Sequence, residues 1–186
     1  LLEIIVVDDN SPDETWRIAS ELGNPKVRVI RRLDERGLAS ALARGVSEAH
    51  GEVIAWMDCD LGIPPEILPN FVNTITNYDV VIGSRYITGG GDPRPFLRRF
   101  LSRILNLYAS LLFGNKITDY TSGVAAVRRE VLGNVLWKDK GFGEYFIEFV
   151  YKCVKNNYKI AEVGYVYTTR EKGVSKSDGN IFTLLK

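Results

Sequence analysis

The 186-residue sequence predicts an α/β fold, a single domain on a mostly parallel, Rossmann-like sheet with helices on both faces. Three observations carry that expectation. Short apolar, β-rich runs alternate with helical stretches, the pattern of strands joined by crossover helices. The runs stop abruptly in charged residues, at Asp8-Asp9, at Asp58-Cys59-Asp60 and at Arg85. Apolar residues are 45% and charged residues 25%, which supports one packed core and excludes disorder and fibrous repeats.

Leu2 to Val7 is a short apolar run that ends in Asp8-Asp9-Asn10-Ser11-Pro12, a buried strand entering a loop. Asp13-Glu14-Thr15 opens a helix to about Leu22, its acids placed in the first turn where the helix dipole favours them. Val27 to Arg31 reads as a second strand, Gly37 to Ala49 as an alanine-rich helix, and Val53 to Met57 as a third buried strand. Pro64-Pro65-Glu66 starts another helix, proline being tolerated in a first turn. Asp79 to Gly83 is the fourth strand, followed by Ser84-Arg85-Tyr86. Beyond Gly89-Gly90-Gly91 the character changes, and Phe96 to Phe113 is a long helix with Arg98, Arg99 and Arg103 among apolar residues. Gly123 to Arg128 reads as a strand, Glu144 to Asn156 as a helix and Lys159 to Thr168 as a strand. Arg170 to Lys186 reads as a loop with a short helix.

Charge and cysteines narrow the function classes. Lys+Arg 24 against Asp+Glu 23 leaves a net charge of +1, so no bulk field recruits nucleic acid. Cys59 and Cys153 cannot build a disulfide framework, which points to a reducing compartment. The greasiest stretch, Ile104 to Phe113, is interrupted by Asn106 and Ser110 and falls short of the ~20 residues that a membrane span needs. The chain opens at Leu1 inside an apolar run, without a signal peptide or methionine, so a longer natural protein is expected.

In parallel sheets ligands bind beyond the carboxyl ends of the strands, where the charged residues fall here. Two carboxylates about 6 Å apart repel by about 3 kcal/mol at an effective dielectric near 20. A cation between Asp58 and Asp60 removes that cost, and hard ions such as Mg²⁺ take one or two carboxylates plus substrate phosphates. The bland alternative is two solvated loop aspartates. Arg85, Arg98, Arg99, Arg170, Lys172 and Lys176 together read as a basic half facing an acidic one, although each alone fits a surface ion pair or a snorkelling side chain. His50 is the only histidine, which excludes a multi-histidine metal cluster and disfavours a Ser-His-Asp hydrolase.

The order Val6-Val7-Asp8-Asp9-Asn10-Ser11-Pro12-Asp13, Gly37-Leu38, Met57-Asp58-Cys59-Asp60-Leu61 and Pro64-Pro65-Glu66 resembles inverting GT-A glycosyltransferases. Gly83-Ser84-Arg85-Tyr86 with Gly89-Gly90, Arg98-Arg99 with Ser102, Asp119-Tyr120-Thr121-Ser122-Gly123 and Arg170-x-x-Gly173-x-Ser175-Lys176 bring it nearest to dolichyl- or polyprenyl-phosphate mannosyltransferases. The resemblance spans essentially the whole chain. DDxS and DxD mark only the broad superfamily, whereas the later motifs are more specific.

The resemblance implies a GT-A domain over 1–186, with a nucleotide- and metal-binding half at 1–90 and an acceptor half at 91–186. It implies inverting transfer of mannose from GDP-mannose to a dolichyl or polyprenyl phosphate, serving glycosylation at the cytoplasmic face of a membrane that the domain touches peripherally. Val7 and Asp9 would contact the nucleobase. Asp58 and Asp60, with the backbone at Cys59, would hold Mg²⁺ or Mn²⁺ on the donor diphosphate. Arg85, Arg98, Ser102 and Arg170 would grip the acceptor phosphate or the donor's charges, with Lys176 beside them, and Asp119 would help to close the site over the sugar. Asp60, Arg85 and Arg170 are the residues expected to bear on catalysis. A phosphate monoester has a second pKa near 6, so it arrives as an oxyanion nucleophile and needs no histidine or carboxylate base. The helix from Phe96 would lie near the bilayer; its plain alternative is a core helix with an arginine edge.

The sequence departs from the family's pattern at three points. Gly62 stands where the family usually has a metal-contacting glutamine, and Cys59 replaces the usual alanine. The family also begins with a further strand and helix, so about 30 residues are expected upstream, the size of a βα unit. UDP-glucose as donor is the sibling reading. A degenerate domain that binds nucleotide without turnover, and a DxD phosphatase with Asp58 as nucleophile and Asp60 as acid, are the readings from other classes.

Overall fold

The computed structural model describes residues 1–114, 117–135 and 144–168. β1 (Ile4–Asp8) leads through α1 (Thr15–Ser20) to β2 (Val27–Arg31), which pairs parallel to it with Ile4 opposite Val27 and Asp8 opposite Arg31. α2 (Leu38–Glu48) crosses to β3 (Val53–Trp56). A 3₁₀ turn (Pro65–Ile67) and α3 (Leu68–Thr74) precede β4 (Val80–Ser84), and the long α4 (Phe96–Phe113) precedes β5 (Ala125–Arg128). α5 (Arg129–Asn134), α6 (Glu144–Lys155) and β6 (Ile160–Gly164) complete the order.

The α/β expectation holds, but the sheet is mixed rather than mostly parallel. β1 and β2 form one parallel pair, and the second sheet runs in the order β3-β5-β4-β6. β5 lies antiparallel to both β3 and β4, while β6 is parallel to β4. The reason is the connection. After β4 the chain runs along α4 and returns through the 117–124 segment, so it enters the sheet from the opposite end. Alternation of strand and helix carries no information on that direction. Ala125, Ala126 and Val127 are fully or almost fully buried, small side chains that let β5 sit between two neighbours.

All five residues of β4 are buried, as a strand covered on both faces requires. Val80 and Ile82 face one cluster, with Trp56, Ala125, Val127 and the inner stripe of α6: Tyr145, Phe146, Phe149, Val150 and Cys153. Val81 faces the other, with Ile63, Ile67, Phe71, Ile75, Ala126 and Tyr165. β3 is less buried than its composition predicts: only Ile54 and Trp56 point inward, because β3 bonds to β5 alone among the described strands. α1 is shorter than expected and carries no acid in its first turn. Asp13 instead lies before it and accepts hydrogen bonds from the Thr15 N–H (3.2 Å) and hydroxyl (2.5 Å), which satisfies an N-terminal donor from outside the helix.

α4 is the exception to inward-facing apolar residues. Only Asn106 and Ala109 are buried along its 18 residues. Phe96, Leu97, Phe100, Leu101, Ile104 and Leu105 are among those exposed.

Candidate functional site

β3, β4 and β6 run in one direction, so their carboxyl ends share one rim. Asp58, Cys59 and Asp60 follow β3 there, Arg85 and Tyr86 follow β4, and Tyr165 and Tyr167 follow β6. Asp8, the last residue of β1 in the separate parallel pair, lies near enough for its charge to act on Cys59.

The acidic side is a turn of strained backbone. Asp58 is exposed and Asp60 half-buried. The Asp60 carboxylate accepts the Gly62 N–H at 2.8 Å across Leu61, which has a left-handed φ of 59°. Although Cys59 as a residue is exposed, desolvation of its sulfur raises the thiol pKa, and the negative charges of Asp58, Asp60 and Asp8 raise it further. Three carboxylates thus set up a negative field at one point, the field that a divalent cation neutralises. Among the described residues no cluster of three or more His, Cys, Asp or Glu side chains could hold a metal unaided. Two carboxylates alone match the number that Mg²⁺ commonly takes from a protein, the rest of its shell being water and substrate phosphate.

The basic side is locked from behind. Arg85 donates from Nε to one Asp119 oxygen (2.8 Å) and from Nη2 to the other (2.7 Å), and its backbone N–H reaches the first oxygen at 3.0 Å. Nη2 also meets the Thr121 hydroxyl at 2.7 Å. Arg85 is buried and Asp119 fully so. Burial alone works against the guanidinium charge, but the hydrogen bonds and attraction of Asp119 outweigh it and hold the arginine pKa above its ordinary value. Asp119 faces Arg85 rather than an open surface, so it reaches the site through Arg85. The Glu162 carboxylate fixes this loop by accepting the Thr118 N–H and hydroxyl and the Asp119 N–H.

Two further anchors escaped the sequence reading. Asn106, buried on α4, donates to the Ser102 carbonyl and the Thr121 hydroxyl, both at 2.9 Å, and accepts the Tyr120 N–H at 2.6 Å. It ties the helix to the Asp119 loop; a polar residue inside a greasy helix was the available signal. Arg32, also buried, grips Asp9 from Nε at 2.6 Å and reaches the Ser40 hydroxyl and the Gly37 carbonyl. Asp9 also accepts the Gly37 N–H at 2.8 Å, so its carboxylate anchors the loop before α2. Val7 turns its side chain toward α2: a Cβ added at Gly45 would lie 3.2 Å from its Cγ2.

Ser102 accepts the Tyr86 hydroxyl at 2.8 Å, and Arg98 lies half-buried one turn before it on α4. A cavity of about 510 Å³ opens beside them, lined by Tyr86, Arg103, Asn106, Ser110, Ile117 and Thr118 among others, and neither Asp58 nor Asp60 borders it. The link between the acidic and basic sides is Tyr167. A Cβ at Gly62 would lie 3.1 Å from its hydroxyl, and the Arg94 guanidinium stands 5.2 Å from its ring centre. Arg94 in turn feels the charge of Arg85. Arg170 and Lys176 lie outside the described residues.

Comparison with known proteins comes down on one family. Residues 1–136 match the family described as Glycosyl transferase family 2. The chain is 40% identical to a dolichol-phosphate mannosyltransferase of Pyrococcus furiosus over 99% of its length, and spans 53% of that relative. It is 36% identical to a polyprenol monophosphomannose synthase of Mycolicibacterium smegmatis, over 96% of this chain and 71% of the relative. Among solved structures, glucosyl-3-phosphoglycerate synthase of Mycobacterium tuberculosis with Mn²⁺, uridine diphosphate and glucosyl-3-phosphoglycerate superposes with a TM-score of 0.72. That match covers 95% of this chain and 63% of the other at 22% identity, a likeness of fold. The chain thus spans about half the length of the first of these relatives.

Proposed function

The chain belongs to glycosyl transferase family 2 and has the GT-A fold, and from that premise we propose that it transfers mannose from GDP-mannose to a polyprenyl or dolichyl phosphate with inversion. The observation that carries the reading is the shared rim. Carboxylates after β3 and guanidinium groups after β4 stand on one edge, linked by Tyr167, as a site joining two phosphate-bearing substrates requires. Names of the relatives, a dolichol-phosphate mannosyltransferase and a polyprenol monophosphomannose synthase, support the acceptor class and the sugar.

In this reading Asp58 and Asp60 hold Mg²⁺ or Mn²⁺ together with the donor diphosphate. An ion held by these two carboxylates would supply neutralisation of the charge that builds on the departing nucleoside diphosphate. Asp9 and the backbone of Val7 frame the nucleobase from the end of β1. Arg85, with Nε and Nη2 committed to Asp119 and Thr121, presents Nη1 to a phosphate, and Asp119 keeps that fork from rotating. Arg98 and Ser102, one helical turn apart on α4, receive the acceptor phosphate, with Arg170 and Lys176 contributing from the C-terminal segment. The phosphate oxygen attacks the anomeric carbon directly, so no side chain has to remove a proton.

Labelled GDP-mannose incubated with the chain, dolichyl phosphate and Mn²⁺ should pass label into an organic extract. UDP-glucose in its place should give little. Transfer from neither donor would sink the reading.

α4 supplies the membrane contact in this proposal. It carries Arg98, Arg99 and Arg103, no acid, and a row of exposed Phe and Leu side chains, the composition of a helix lying in an anionic lipid surface. Among the described residues no helix is long and apolar enough to cross a membrane. Phe96 and Phe100 stack with ring centres 5.9 Å apart and are exposed. Replacing both with serine should lower the affinity for phosphatidylglycerol vesicles, read by co-sedimentation, by about a hundredfold or more, since each buried apolar side chain contributes about 1.5–3 kcal/mol. Unchanged sedimentation would remove α4 from the contact.

A further inference from the structure

Gly62 leaves no side chain of its own beside Asp60, yet the space is filled. A Cβ built there would lie 3.0 Å from the Asp60 Oδ1, 3.1 Å from the Tyr167 Cε2 and 3.1 Å from the Tyr167 hydroxyl oxygen. The Asp60 carboxylate and the Tyr167 phenol therefore border one and the same small volume, from residues more than a hundred positions apart in the chain.

Tyr167 is held there from several directions. Its N–H donates to the Gly91 carbonyl at 2.8 Å, and the next N–H, of Thr168, donates to the Gly62 carbonyl at 3.0 Å. The Thr168 hydroxyl donates to the Leu61 carbonyl. The segment after β6 is thereby sewn to the turn that carries Asp60 on one side and to the loop after β4 on the other. Arg94 stands 5.2 Å from the ring centre, and Asp92 fixes Arg94 with a two-pronged pair at 2.7 and 2.6 Å. A half-buried ring with a cation near it and backbone bonds on either side has few rotamers to lose when a ligand arrives.

We propose that Tyr167 is a binding residue of the nucleoside-diphosphate site, its ring seated in the space that the missing Gly62 side chain leaves and its phenol O–H donating to a non-bridging diphosphate oxygen beside Asp60. The inference rests on the reading that Asp58 and Asp60 bind a nucleoside diphosphate with a divalent cation. Glycine at position 62 and tyrosine at position 167 are then one device. A side chain at 62 would displace the ring, and a smaller residue at 167 would leave the volume empty. Gly62 does not have a positive φ, so substitution there meets the neighbouring atoms rather than backbone strain.

Calorimetric titration of the whole chain with GDP and with UDP, each with Mn²⁺ and again with EDTA, separates the two levels. Mn²⁺-dependent binding of either nucleotide by the unaltered chain supports the underlying reading; its absence with both overturns that reading and this inference with it. Given binding, Tyr167→Phe keeps the ring and removes only the hydroxyl, and should weaken the Mn²⁺-dependent Kd about tenfold, in keeping with a hydrogen bond to a charged group. Gly62→Gln should also weaken binding, by pushing the ring aside. Gly62→Gln combined with Tyr167→Ala should bind more tightly than Tyr167→Ala alone, because the glutamine amide enters the vacated volume. A Tyr167→Phe chain that binds within twofold of the original, or a double variant no tighter than Tyr167→Ala, overturns the proposal while leaving the nucleotide site standing.

Discussion

Asp60→Asn should lower Mn²⁺-dependent transfer by about 10²–10³-fold or more while leaving the fold intact. The two halves of that expectation have separate physical origins. Asparagine is nearly isosteric with aspartate, and its amide oxygen can still accept the Gly62 N–H that Asp60 accepts at 2.8 Å, so the turn at Leu61 keeps its closing hydrogen bond. Asp60 is half-buried at the rim, and a change there without lost packing falls within about 0.5 kcal/mol in unfolding experiments. Losing one of the like charges beside Cys59 slightly favours the metal-free fold.

What the amide cannot do is neutralise a hard divalent ion. The stabilisation that Mn²⁺ with nucleoside diphosphate confers on the unaltered chain, about 2.7 kcal/mol at a hundred times Kd, should therefore disappear in the variant. Two measurements check this, a thermal or urea melt with and without Mn²⁺ and nucleotide, and the transfer rate. A variant that transfers at an unaltered rate would end the role assigned to this carboxylate. One that melts much earlier without ligand would recast it as a structural group.

Asp119→Asn should produce the largest loss of stability of any single polar substitution at the site, about 3–5 kcal/mol by urea unfolding. The pair that it breaks is not a surface bridge. The Arg85 and Asp119 side chains are 4% and 0% exposed, and both carboxylate oxygens receive guanidinium donors. Removing the negative charge leaves a largely buried guanidinium without its counter-ion, and arginine cannot escape by losing its proton. An exposed pair would cost under about 1 kcal/mol, so the measured value discriminates sharply. Arg85→Met combined with Asp119→Leu should cost less than Asp119→Asn alone, because it removes both charges and keeps the volume filled. A loss below about 1 kcal/mol for the single variant would show that the Arg85–Asp119 pair is screened like a surface bridge. The double variant should nevertheless be inactive under the proposed function, since Arg85 Nη1 is the group assigned to phosphate.

Particular elements show how much was legible in advance. α4 matched its expected limits, Phe96–Phe113, because an unbroken helical stretch runs between Pro95 and Gly114, which takes φ 101°. β2 likewise matched at Val27–Arg31. Helix α5 went unread because six residues continue directly from β5 and carry only Val131 inward. Asp58 and Asp60 were legible because the DxD pair interrupts an apolar run at a strand end, and a local pattern is enough to show that. Asn106 and Arg32 were not, since each works by reaching residues 5 to 23 positions away in sequence: Asn106 to Tyr120 and Thr121, Arg32 to Asp9, Gly37 and Ser40. The same limit hid the Arg85–Asp119 lock. Both residues were singled out, but as two contacts to ligand, whereas 34 positions of intervening chain fold back to make them contacts to each other.

The amino-acid order alone settled the fold class, the family and the chemical types at the rim, because apolar periodicity, breakers and short motifs are properties of neighbours in the chain. Only the folded molecule decided the direction of β5, the burial of Asp119 against Arg85 and the meeting of Tyr167 with Gly62. Strand direction and side-chain partnership are set by which segments the backbone returns to the same place. That return is governed by burial of the two clusters flanking β4, a property of the whole chain that no single window of sequence contains.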